Sequence, residues 1–261
     1  RTFSPITPLS KPTSKKTKTI TIMLKVTLPI LLISLVAYDL SLKAEYLKGD
    51  YTNPYRDYNS LNYSDFDEIE LNASTAVNII LIQGPYKVLA NPNSDDFLHI
   101  SKQGKRLIIN AAFPDHYRNV AASYVLYISC PKLSLLKADA RYTTRDVPVT
   151  DTVVRDLRWY PTLITGFSLD SLRLQTDHAS NIILVNNRIN ILNGVIGQRD
   201  GSGSVLTICS NNKFAKSNLD ICNKSQLLIK GPTAPDLNYH LADSATLVVN
   251  GAAVKHLLNL K

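Results

Sequence analysis

The residues best equipped for chemistry gather between Arg141 and Thr165, where Arg141, Tyr142, Arg145, Asp146, Arg155, Asp156, Arg158, Trp159 and Tyr160 interrupt an otherwise regular strand rhythm. The stretch holds the only tryptophan of the chain. Aromatic faces stack on the apolar faces of sugars, and guanidinium forks hold oxyanions through paired hydrogen bonds. Arg141, Arg145, Trp159 and Tyr160 are therefore the candidate binding residues, suited to a sugar or a polyanion. The competing reading is a loop that covers the flank of the body with Trp159 tucked into it.

Other reactive residue types are present without a reactive arrangement. The five histidines, His99, His116, His178, His240 and His256, have no metal-ligand spacing, and there is no paired-cysteine motif, so neither a metal nor a cofactor is expected. Asp177-His178 reads as a turn, and Gly201-Ser202-Gly203 lacks the lysine and following helix of a phosphate loop. Asp177, Asp200 and Asp243 fall at corresponding turns; repetition accounts for them, and a carboxylate cluster of the hydrolase or lyase kind is the alternative. No catalytic residue is assigned. Three cysteines cannot close a disulfide framework. Strand alternation turns both Cys209 and Cys222 outward, which leaves a bridge between them open.

The elements that must position these residues repeat. Ser180-Asn181-Ile182-Ile183-Leu184-Val185-Asn186, Ser204 to Ser210, Ser225 to Gly231 and Ala245 to Gly251 each run small, any, aliphatic, any, aliphatic, any, then a turn residue, at steps of 24, 21 and 20 residues. Alternating aliphatics between turn residues mark short strands with one buried face, and this period is that of a solenoid coil. One coil cannot bury its apolar face alone, so neighbours must stack on it. The expectation is an all-β, single-chain β-helix (β-solenoid) of right-handed coil over residues 66–261, with 141–165 as an insertion; an evenly spaced antiparallel sandwich is the alternative. Leu184, Ile208, Ile229 and Val249 should form one core column, and Ile182, Leu206, Leu227 and Leu247 a second.

Composition narrows the function classes. The net charge of +8 suggests a nucleic-acid binder, but Arg1, Lys11, Lys15, Lys16, Lys18 and Lys25 carry six of those charges, which leaves +2 for residues 26–261. A body so near neutrality, with no recognition motif, argues against nucleic acid. The basic block belongs instead to a targeting segment. Residues 1–22 read as a disordered basic tail or as sequence upstream of a start at Met23, and residues 23–43 as a membrane anchor or a cleaved signal, with 24–42 the part in contact with the membrane. The lysine excess ahead of this segment places the remainder outside the cytoplasm. Residues 44–65, laced with tyrosine, form a polar stalk.

Phe66-x-x-Ile69, Val77-x-Ile79, Gln83-Gly84-x-Tyr86-x-Val88, Leu107-x-Ile109 and Cys130-Pro131-x-Leu133-x-x-Leu136 resemble the family described as the putative auto-transporter adhesin head, or GIN, domain. The resemblance covers residues 66–255. It implies a bacterial β-helical protein of the Bacteroidetes type and brings no catalytic residue with it. The chain departs from the family pattern at Lys137-Ala138-Asp139-Ala140, where members often carry a Gly/Ser-rich turn. Two functions follow: a membrane-tethered, non-enzymatic envelope module that binds a glycan or protein or serves structurally, with self-association through the solenoid ends open; and, as the alternative, a carbohydrate-active enzyme.

Overall fold

A computed structural model describes residues 14–47, 49, 53–117, 124–158, 160–209, 211–231, 237–251 and 253–254. The chain divides into two compact units, 1–56 and 57–261. Among its described residues the first contains one helix, α1 (Ser14–Leu47), which begins inside the segment expected to lack structure. Its part from Lys25 to Leu47 has a mean hydropathy of 1.6 and none of it is buried, with Leu28, Ile30, Leu31, Ile33, Leu35 and Val36 all exposed. A helix of 23 residues is about 34 Å long, enough to cross a hydrocarbon layer of roughly 30 Å. Ser34 Oγ donates to the Ile30 carbonyl at 2.8 Å, one turn back.

The second unit is all-β. Its first half carries β1 (Asn59–Leu61), β2 (Glu68–Leu71), β3 (Ile79–Gln83), β4 (Lys87–Ala90), β5 (Leu98–Gln103), β6 (Arg106–Phe113), β7 (Leu126–Cys130), β8 (Leu135–Ala138), β9 (Arg141–Thr144) and β10 (Val147–Thr150). The second half carries β11 (Thr162–Thr165), β12 (Ser168–Thr176), β13 (Asn181–Val185), β14 (Arg188–Ile196), β15 (Val205–Ile208), β16 (Lys213–Ile221), β17 (Gln226–Lys230), β18 (Tyr239–Leu241) and β19 (Thr246–Asn250). They build a nine-stranded sheet in the order β1-β4-β7-β3-β11-β13-β15-β17-β19 and a ten-stranded sheet in the order β10-β9-β6-β2-β8-β12-β14-β16-β18, with β5 folded back on β6.

The expected β-helix is corrected by these pairings. Both sheets are mixed: β1 with β4, β4 with β7, β5 with β6 and β9 with β10 run antiparallel. Strand β3 lies between β7 and β11, so the chain does not climb coil upon coil from residue 66. The architecture is a β-sandwich-like all-β fold of two large sheets with one hydrophobic core. The sequence period remains meaningful within the C-terminal half, where repeats pair in parallel and in register. Leu184 faces Ile208, Ile208 faces Ile229 and Ile229 faces Val249, while Ile182, Leu206, Leu227 and Leu247 align beside them. The first half escapes the period because β4 runs antiparallel to β7 and a hairpin at Gln103 to Arg106 returns β5 on β6.

Small and amide residues at the corners satisfy what the core cannot. Ser74 and Ser180 share a hydrogen bond at 3.0 Å, Ser180 N–H donates to Ser204 Oγ at 3.2 Å, and Ser204 N–H donates to Ser225 Oγ at 3.1 Å, all four serines being buried. Asn187 accepts from Phe167 N–H at 3.0 Å and donates to the Ile164 carbonyl at 3.0 Å; Asn212 repeats this one strand later, accepting from Asn187 N–H at 3.0 Å and donating to the Leu184 carbonyl at 2.8 Å. Buried backbone groups at a corner need such partners, since no ladder supplies them. Gly197, at φ +77°, packs so closely on this serine column that a Cβ would meet Ser225 Oγ at 1.9 Å.

The stretch expected to interrupt the strands holds a hairpin. Thr144 pairs with Val147 across a two-residue turn, Arg145-Asp146, with φ of 52° and 60°. Two positive φ values define a turn that matches the twist of the strands and that asparagine and glycine favour over arginine and aspartate. Pro148 in the outer strand β10 removes one donor from the sheet edge.

Two stability outcomes follow. Ile208→Ala, at a fully buried position in the core column, destabilises the fold by about 2–5 kcal/mol in chemical denaturation. Asp146→Gly relieves the left-handed strain and stabilises by about 1 kcal/mol, read in the same assay.

Candidate functional site

The hairpin and the chain that follows it enclose a cavity of about 360 Å³ against the flank of the body. This size lies toward the lower end of small-molecule sites, roughly 300–1,000 Å³. Tyr117, Tyr142 and Tyr160 give its aromatic wall, Val149, Val153 and Val154 its aliphatic wall, and Asp151, Arg155, Asp156 and Asn181 its polar groups. The tyrosines continue a stack rooted in the core: Phe97 on Phe113 at 4.6 Å, Phe113 against Tyr117 and Tyr142 at 5.2 and 5.8 Å, and Tyr117 edge-on to Tyr160 at 6.2 Å. A ring wall anchored in this way is held rigid by packing.

Asp151 is fixed by its own backbone. Its N–H donates to the Ala140 carbonyl at 3.0 Å, and its carbonyl accepts from Ala179 N–H at 3.1 Å, which ties the chain leaving β10 to two neighbouring corners. Thr75 Oγ1 donates to Asp151 Oδ2 at 2.8 Å, and the same carboxylate acts on the nearby Tyr142 hydroxyl. Asn181, the second residue of its repeat, is 3% exposed; its Nδ2 donates to the Leu157 carbonyl at 3.0 Å and its Oδ1 is buried without a partner. Tyr160 is buried and has a φ of 48°, an outlying backbone conformation for a bulky residue.

Burial pushes the pKa of all three phenols up. Tyr142 is pushed up to about 12, first by burial and then by the Asp151 carboxylate. Tyr117 rises through burial and through donation toward Tyr160, and Tyr160 rises through burial. At ordinary pH the wall is therefore uncharged and offers hydroxyls.

The described members of the nominated binding set, Arg141, Arg145 and Tyr160, are not brought together. Tyr160 lines the cavity. Arg141 is drawn away to the buried Asp139, its Nε 2.5 Å from Oδ2, and Arg145 donates through Nε to the Asp115 carbonyl. Trp159 lies outside the described residues. Of the other residues gathered in that stretch, Tyr142, Arg155 and Asp156 do line the cavity. Sequence reasoning missed Tyr117, Asp151 and Asn181. Asn181 carried a faint signal, as the polar second residue of a repeat, whereas Tyr117 and Asp151 carried none.

The remaining candidates resolve individually. His178 turns from Asp177 to Asp139, with Nδ1 2.6 Å from Oδ1, and its φ of 46° marks the expected turn. Asp177 lies 3.6 Å from Arg199, while Asp200 and Asp243 are exposed, and none of these three acids lines the cavity. Cys130, Cys209 and Cys222 are free thiols; burial pushes that of Cys130 up to about 12. Among the described residues, no group of three His, Cys, Asp or Glu side chains could hold a metal ion.

No family model matches the chain, and no curated protein does. Among solved structures, a putative adhesin from Parabacteroides merdae is 11% identical with a TM-score of 0.34, over 75% of this chain and 96% of that one. A putative adhesin from Bacteroides fragilis is 10% identical with a TM-score of 0.36, over 74% and 93%. A putative lipid binding protein from Parabacteroides distasonis is 14% identical with a TM-score of 0.28, over 75% and 96%. At these values the likeness bears on neither ligand nor activity.

The phenols set an alkaline limit. Because the folded state holds Tyr142 at about 12 against an ordinary value of 10, the unfolded chain releases this proton first. The stabilisation is complete below pH 10 and is lost as pH rises toward 12. Absorbance titration of the phenolates, with denaturation followed in parallel, should show both changes together; Asp151→Asn lowers the Tyr142 midpoint while leaving it above the ordinary value.

Proposed function

We propose that the chain is an extracytoplasmic, membrane-tethered and non-enzymatic binding module of the cell envelope. The single observation that carries this reading is the tyrosine-walled cavity: a rigid, uncharged aromatic surface beside fixed polar groups. Such a surface suits a ring-shaped ligand. α1 supports the tether, since its apolar side chains point in every direction instead of along one stripe. The basic residues ahead of it support an exterior location for the rest. The strand motifs over residues 66–255 that resemble the GIN, or putative auto-transporter adhesin head, domain support the same assignment. The partner is an envelope glycan or the glycan-bearing surface of a protein.

The test uses the full chain in detergent micelles, incubated with solubilised envelope and extracellular polysaccharides. Saturable retention on glycan without new sugar ends is the expected result. Tyr142→Ala lowers that retention by about tenfold, the upper end of what one aromatic stacking contact contributes. Release of new reducing or unsaturated ends above a buffer control would instead assign an enzyme.

A further inference from the structure

We infer that the cavity recognises the hydroxyl groups of an uncharged pyranose unit, with Asp151 and Asn181 as paired acceptors; this rests on the binding reading and names its ligand. The orientation of Asn181 is set by its neighbour. A carbonyl only accepts, so the bond to Leu157 fixes Nδ2 on that side and leaves Oδ1 as a buried acceptor with nothing to accept. A ligand donor satisfies it. Asp151 already accepts from Thr75, and a carboxylate has about four acceptor sites, so capacity for further donors remains. Both fixed groups therefore ask the ligand for hydrogens, and a pyranose offers them as hydroxyls around its ring. Its C–H faces suit the tyrosine and valine walls.

The charges lining the cavity argue against an ionised ligand. An anionic sugar meets the half-buried Asp151. A cationic one meets Arg155, which lines the cavity and acts on the Tyr142 hydroxyl. Asp156, which also lines it, is engaged by Arg158, with Nη2 3.1 Å from Oδ2. An uncharged polyol incurs neither repulsion.

The full chain in detergent micelles is titrated with the methyl pyranosides of glucose, galactose and mannose, with methyl glucuronide and with glucosamine, using calorimetry and saturation-transfer NMR. At least one neutral pyranoside should bind in the millimolar range, with glucuronide and glucosamine at least fivefold weaker. Asp151→Asn and Asn181→Leu should each weaken the neutral sugar at least fivefold; the near-isosteric Asp151→Asn keeps the test valid should Asn181→Leu fail to fold. Equal or tighter binding of either charged sugar overturns the inference and leaves the binding reading intact. So does retention on long glycans with no monosaccharide bound, or binding that Asp151→Asn leaves unchanged. Failure to bind both monosaccharides and polysaccharides overturns the binding reading itself.

Discussion

Parallel pairing in strict register is the constraint on which the C-terminal half of this fold depends. Once Ile182 is fixed opposite Leu206, and Leu206 opposite Leu227, every residue of one repeat stands on its counterpart in the next. An aliphatic position then becomes a column of the core, and a corner position becomes a column of polar groups. A slip of one residue would turn each column to the opposite face, so the register is selected at every strand together. The serines that begin the repeats contribute at the corners, where the ladder stops and backbone N–H groups turn inward. The hydroxyls of Ser204 and Ser225 each accept from the backbone N–H of the preceding corner, so a polar column runs beside the aliphatic one.

The same reasoning explains which parts of the fold could be read from the sequence. The columns of Leu184 and Ile182 were legible because parallel stacking writes one pattern repeatedly at a fixed spacing. The positions needing positive φ were legible at Asn186 and Gly231, where the residue types tolerate it, while the turn expected at Asn250 takes its positive φ at Gly251. The global architecture was not. Period alone does not reveal that β4 and β5 turn back on their neighbours, because an antiparallel strand presents the same alternation as a parallel one. Nor does it reveal that β3 and β11, nearly eighty residues apart in sequence, lie side by side. That adjacency breaks the order of a ladder of coils, and the antiparallel pairs make both sheets mixed.

The candidate site shows the matching limit for chemistry. The sequence drew attention to arginine and aromatic residues after residue 140, and the tyrosines among them do form a wall. The arginines divide by a criterion that spacing does not contain, namely whether a buried acid lies within reach. Asp139 is 1% exposed, and a carboxylate so placed must be neutralised and hydrogen-bonded. Arg141 and His178 converge on it from two neighbouring corners, and the Ala140 N–H adds a further bond at 2.8 Å. Arg141 is thereby committed to the scaffold.

That commitment also positions the cavity. The Asp139 cluster fixes the corner from which β9 departs, and the hairpin returns along β10 so that Asp151 bonds the Ala140 carbonyl beside it. The acceptor in the cavity is thus carried by the chain segment that the buried charge holds in place. The aromatic wall is anchored independently, through Phe113 to the core. Two rigid supports, one electrostatic and one apolar, meet at Tyr142, which packs against Phe113 and lines the cavity together with Asp151. A site assembled this way is formed before any ligand arrives, so little ordering cost remains for binding to offset. Its residues lie far apart in sequence, at 75, 117, 142, 151 and 181. No local motif can announce such a site; only the folded corners bring it together.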